Sequence, residues 1–137
     1  MRGMLKRFEP IASKCGEIVE FVMSSPDIPD DPALAFKIRL SVEEVVENVV
    51  NYAYEGGMGW LEAGTELDES GVVLTIVIKD AGVPFNPLEK EDPDITASAE
   101  ERQIGGLGIF LCKQLMDGIV YRYEGGCNIL TMTKHLS

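Results

Sequence analysis

A chain of 137 residues and 15.0 kDa is expected to form one domain spanning residues 1–137. Its 45% hydrophobic and 26% charged residues suffice for a core without metal or disulfide staples. Twelve Lys+Arg against 23 Asp+Glu leave a net charge of −11, which argues against gripping nucleic acid or lying on an anionic membrane.

From about Glu9 to Ser24, Ile11, Cys15, Ile18, Val19 and Val22 recur at helical spacing. The segment SPDIPDDP (25–32) breaks that helix with prolines and offers Asp30 or Asp31 as a cap for the next. A longer helix is predicted from Pro32 to Tyr54, ending before Gly56-Gly57. Two strands follow, Gly59–Leu67 and VVLTIVIKD (72–80), the second opening after Ser70-Gly71 and forming a hairpin with the first. Residues 81–103 are polar and aperiodic, a long connection of the kind that tends to carry function. A third helix is predicted from Gly106 to Met116 or Asp117, then strands Ile119–Tyr123 and Asn128–Lys134 flanking Gly125-Gly126. The order ααββ–loop–αββ implies an α+β two-layer sandwich, with three helices on one face of a mostly antiparallel sheet.

The lone histidine, His135, argues against a multi-histidine metal site and a Ser-His-Asp arrangement. Cys15, Cys112 and Cys127 are odd in number, widely separated and without C-x-x-C spacing, as expected for reduced thiols. The longest apolar run, Val72 to Ile78, is too short for a membrane span, and no apolar stretch follows the N-terminal Arg and Lys. A cytoplasmic protein is expected.

At about 100° per residue, the second helix sorts its acids by direction. Val45 and neighbours Ile38, Val42, Val49 and Ala53 form a core stripe, with Glu43 and Glu47 on the far side. Glu44 and Asn48 fall at one edge of the stripe, four residues apart and therefore adjacent. A carboxylate and an amide oxygen side by side suit a hard cation or a reacting hydroxyl. Read alone, Glu44 is one more surface acid, as charges in such a run usually are.

Asp80 ends a strand just before Gly82, which puts a carboxylate beside backbone open to close approach. Such a carboxylate accepts hydrogen bonds and can read an exocyclic amine such as that of adenine, or it is simply a solvated turn residue. In QIGGLGIFLCKQLMD, Gly105, Gly106 and Gly108 enter a helix at a cost of about 1 kcal/mol each relative to alanine. Backbone approach by a phosphate to free N–H groups accounts for that cost, as does tight packing on a sheet. The spacing matches neither the P-loop nor the Rossmann fingerprint.

E-x-x-x-N on a helix, D-x-G after a strand and G-G-L-G at a helix start thus occur in order. This set resembles the GHKL superfamily (gyrase, Hsp90, histidine kinase, MutL), whose nucleotide-binding unit is the Bergerat fold. EEVVENVVNYAY, DAGVPFNP, EERQIGGLGIFLCKQLMD and NILTMTK look most like the anti-sigma-factor serine kinases of bacterial partner-switching systems, over about residues 5–134. The resemblance implies a single histidine-kinase-like ATPase domain that uses ATP and Mg²⁺. It implies Glu44 as general base, Asn48 as Mg²⁺ ligand, and Asp80 as adenine contact with Gly82 giving it room. It further implies Gly105, Gly106, Leu107 and Gly108 as the phosphate-side box, residues 88–104 as a lid with Arg102 near the terminal phosphate, and Thr131 near the adenine aspartate. Tyr52 stands where family members often have histidine, and the lid is rich in acids. Lys113, Arg122 and Lys134 remain open as further phosphate contacts. The implied activity is phosphorylation of an anti-sigma-factor antagonist by a homodimeric kinase that also sequesters a sigma factor, with no nucleic-acid or membrane partner. The alternative is a nucleotide-gated regulatory binding protein without useful phosphotransfer.

Overall fold

The computed structural model describes residues 5–54, 59–89 and 106–136. Strand β1 (Lys6–Phe8) leads through a 3₁₀ turn at Ala12–Lys14 into helix α1 (Cys15–Met23). Helix α2 (Pro32–Tyr52) is followed by the hairpin of β2 (Leu61–Leu67) and β3 (Val73–Asp80). Helix α3 (Gly106–Leu115) leads to a second hairpin, β4 (Gly118–Glu124) and β5 (Cys127–His135). The sheet order is β1-β2-β3-β5-β4 and every pairing is antiparallel. The three helices form one layer on one face, so the expected α+β sandwich is the observed architecture.

Alternation assigns the two faces of the sheet. On β3, Leu74, Ile76, Ile78 and Asp80 are buried; on β5, Asn128, Leu130, Met132 and Lys134 are. These residues stand opposite one another in register, Leu74 against Lys134 and Asp80 against Asn128. The apolar ones among them meet Ile38, Val42, Val45 and Val46 of α2 and Ile18, Val19 and Val22 of α1 in one core. The helical stripe read from the sequence is therefore the buried stripe, and truncating Ile38 or Leu74 to alanine falls in the range of about 2–5 kcal/mol.

Local chemistry sets the ends of α2. Asp31 caps it by accepting from the N–H of Ala33 (2.8 Å) and of Leu34 (3.3 Å), with Pro32 in the first turn. The connection before it is pinned to β2: Thr65 donates to Asp27 (2.8 Å), and its hydroxyl is 2.7 Å from that of Ser25.

Two elements differ from expectation. The first helix starts at Cys15 rather than Glu9, and the residues before it include the edge strand β1. Strand β1 is only three residues long; what holds it is its pairing with β2 and the packing of Phe8 edge-on against Phe21 at 5.5 Å. Lys134, one of the three cations left open as phosphate contacts, is 8% exposed. Its ammonium donates to the carbonyl of Leu115 (2.6 Å), the last residue of α3, and lies 3.8 Å from Asp117. It thus satisfies a helix C-terminus rather than a phosphate. Lys134→Met keeps the stem and leaves that carbonyl unpaired. It is expected to cost about 1.5–3 kcal/mol, read as a lower urea midpoint at unchanged slope. Arg122 is also spoken for: it lies on the outer sheet face, paired with Glu124 at 3.2 Å.

Candidate nucleotide-binding site

A crevice opens between the C-terminal half of α2, the ends of β3 and β5, and the loop after β3. Val45, Val49, Ala53, Ile78, Val83, Phe85 and Leu130 give it apolar walls, and Asn48, Asp80, Tyr121 and Asn128 bring polar groups to it. Its empty volume is about 420 Å³ with the open solvent at its mouth included.

Asp80 sits at the closed end, 4% exposed. Its Oδ1 accepts from the N–H of Gly82 (2.8 Å) and the side-chain amide of Asn128 (2.9 Å). Among the described residues no donor reaches Oδ2. Burial pushes the Asp80 pKa up, and the hydrogen bonds from Asn128 and Gly82 pull it partly back. Folding therefore makes the acid easier to protonate than it is in the unfolded chain. That contribution is fully present below the unfolded value of about 3.9 and is lost as pH rises through the folded pKa. Asp80→Asn removes the ionisation, so the stability of the variant relative to wild type is expected to rise as pH increases above about 4 in denaturant titrations. A variant whose relative stability falls over that window contradicts the assignment.

Gly82 makes room, but for protein rather than for ligand. A Cβ there would overlap the carbonyl of Ala53, the residue just after α2, and that same carbonyl accepts from the N–H of Val83 at 3.0 Å. Tyr54 completes the junction: its hydroxyl accepts from the N–H of Ala81 (2.8 Å) and donates to the carbonyl of Trp60 (2.7 Å). The Asp80 loop is thus clamped to the end of α2.

Asn48 lines the crevice one helical turn from Glu44. Among the described residues neither side chain makes a hydrogen bond, although both stand at the edge of the core stripe as the helical wheel places them. The Glu44 carboxylate lies against Gly108 in the first turn of α3, where a Cβ would meet Oε2. Burial, then repulsion from Glu47 and Glu43, pushes its pKa up. Between Ala53, which backs the Asp80 loop, and Glu44, α2 advances about 13 Å. The site is therefore elongated, with a carboxylate acceptor at one end and an amide, a second carboxylate and a helix N-terminus at the other.

Gly106 and Leu107 begin α3 as expected. Arg102, Gly105 and most of the proposed lid lie outside the described residues. Thr131 does not face Asp80: it stands opposite Val77 and Val120 on the other face of the sheet. The residue opposite Asp80 is Asn128, which the sequence reading passed over. The signal was present, since Asn128 is in phase with Leu130 and Met132 whereas Thr131 is out of phase by one. Tyr52 packs its ring 5.7 Å from that of Phe85 at the mouth of the crevice.

The family model described as the histidine kinase-like ATPase domain matches residues 17–134. The chain is 28% identical over 102 residues to the serine/threonine-protein kinase BtrW of Bordetella bronchiseptica, covering 74% of this chain and 71% of that one. It is 29% identical over 145 aligned positions to the serine-protein kinase RsbW of Bacillus thuringiensis, covering 97% and 89%. Among solved structures it is similar in fold to the histidine kinase domain of the blue-light activated histidine kinase EL346 of Erythrobacter litoralis, with TM-score 0.60 and 16% identity. That match covers 90% of this chain, which spans 60% of the other's length.

Proposed function

Because the chain belongs to the histidine kinase-like ATPase domain family, we propose that it is an ATP- and Mg²⁺-dependent serine/threonine protein kinase that acts as an anti-sigma factor by phosphorylating an anti-sigma-factor antagonist. The observation that carries this reading is the placement of Glu44 and Asn48, both without hydrogen-bond partners among the described residues, beside the first turn of α3 and in line with the Asp80 crevice. The relatives named as serine and serine/threonine-protein kinases support the transfer step.

The residues present fit the nucleotide and the cation. The open oxygen of Asp80 suits a purine amine, the apolar walls suit a base, and the N–H groups that begin α3 suit anionic oxygens. Asn48 offers a hard oxygen for Mg²⁺. When bound, ATP·Mg²⁺ supplies the phosphoryl group and the cation that offsets its charge. Glu44 takes the proton of the incoming serine hydroxyl at its carboxylate. Its raised pKa brings it nearer to the operating pH, where a general base works best. The walls position the partners and exclude water, so most of the acceleration comes from orientation and local electrostatics.

In this reading the protein works in the cytoplasm as a homodimer whose partners are the antagonist and a sigma factor. The acidic balance favours a protein partner over nucleic acid. Among the described residues no helix is long and apolar enough to cross a membrane. The test is incubation with γ-labelled ATP, Mg²⁺ and a candidate antagonist. Label is expected on a serine of the antagonist. Nucleotide-dependent capture of the antagonist with no label transferred replaces the kinase reading with that of a nucleotide-gated binding protein.

A further inference from the structure

Asn128 is 7% exposed, and its amide is fully employed. Its nitrogen donates to Asp80 Oδ1 and to the carbonyl of Val83, each at 2.9 Å. Its oxygen accepts from the N–H of Phe85 (3.1 Å) and from the hydroxyl of Tyr121. The two donor hydrogens and the two lone pairs of an asparagine amide are thereby used. The orientation is forced, since a flipped amide would face a carboxylate with its oxygen and an N–H with its nitrogen.

The consequence falls on Asp80. With Gly82 and Asn128 both on Oδ1, one carboxylate oxygen is saturated and only the other is open. A wall that can only accept hydrogen bonds suits an amino group and rejects a carbonyl, which would leave two acceptors facing each other in a buried place. Loosened from Asn128, the carboxyl can turn. It can also take up a proton, as its burial favours, and then donate to a carbonyl.

We propose that Asn128 is a positioning residue that, by holding Asp80 with a single open acceptor, sets a preference for 6-amino over 6-oxo purine nucleotides. The inference rests on the nucleotide-binding reading above and deepens it, because the discrimination is assigned to a residue that itself need not touch the base.

The test measures dissociation constants of ATP and inosine triphosphate, each with Mg²⁺, by calorimetry between pH 5.5 and 8. Wild type is expected to prefer ATP by about 10- to 100-fold at neutral pH, the discrimination of one charged hydrogen bond. Asn128→Leu is expected to shrink that ratio about tenfold. The pH at which the ratio collapses should move upward, which a merely structural role would not produce. Asn128→Ser, smaller and still polar, serves if the leucine variant does not fold, and Tyr121→Phe, which frees one side of the amide, should shift the ratio in the same direction. An unchanged ratio and pH profile in folded variants overturns the proposal, as does wild type binding both nucleotides equally. Wild type binding neither nucleotide at millimolar concentration overturns instead the reading on which the proposal rests.

Discussion

In the proposed kinase reaction, Glu44→Gln is expected to lower phosphotransfer to the antagonist by about 10²- to 10⁴-fold while leaving ATP affinity nearly unchanged. The glutamine keeps the length and shape of the side chain beside Gly108, so the packing of α2 on α3 is preserved. What it loses is the basic oxygen. The base must be ionised to accept a proton, and burial with repulsion from Glu47 and Glu43 raises its pKa. Wild-type transfer should therefore fall away on the acid side at a pH above the ordinary glutamate range of about 4.3. Single-turnover rates against pH with saturating ATP check both statements. A variant that transfers phosphate at the wild-type rate removes Glu44 from the chemistry. A variant that also loses ATP binding makes it a ligand contact instead.

The second large effect is on stability. Gly82→Ala places a methyl group on the Ala53 carbonyl, and the obstacle is backbone at the end of a packed helix, so it cannot swing aside as a side-chain tip would. Overpacking of this kind costs about 1–3 kcal/mol. Displacing the loop also breaks the bond from the Val83 N–H to that carbonyl, adding about 1 kcal/mol. A loss of about 3 kcal/mol is a large share of the stability of a chain this size, and it should appear as a marked drop in Tm together with loss of nucleotide binding. Gly108→Ala makes the contrast. The atoms nearest its added methyl belong to the end of the Glu44 side chain, which can rotate, so the fold should tolerate it while Glu44 is displaced. A Gly82→Ala variant that melts like wild type would show that the clamp between the Asp80 loop and α2 yields easily.

Much of this molecule was legible before any coordinates, and the reason is periodicity. The direction of Glu44 and Asn48 follows from 100° steps around one helix, a local property that tertiary contacts then preserve. The β-branched run VVLTIVIKD likewise marks a strand, and the structure then puts Asp80 in phase with Leu74, Ile76 and Ile78. Turn and cap chemistry at Asp31-Pro32 and at Gly125-Gly126 is equally local.

Other features became visible only when distant segments met. Strand β1 has too few residues to announce itself, and exists because Phe8 finds Phe21 and β2 offers an edge. Lys134 looks like a surface cation until the end of α3 is laid over it. Gly82 reads as an opening for a ligand until the carbonyl of Ala53 occupies the space. Asn128 is an unremarkable asparagine after a turn until register sets it against Asp80, 48 residues away in the chain. Amino-acid order alone settled which side of α2 is apolar, because that depends on neighbours a few residues away. Which polar groups share the crevice was decided by sheet register and helix docking, which depend on contacts whose sequence separation no local pattern records.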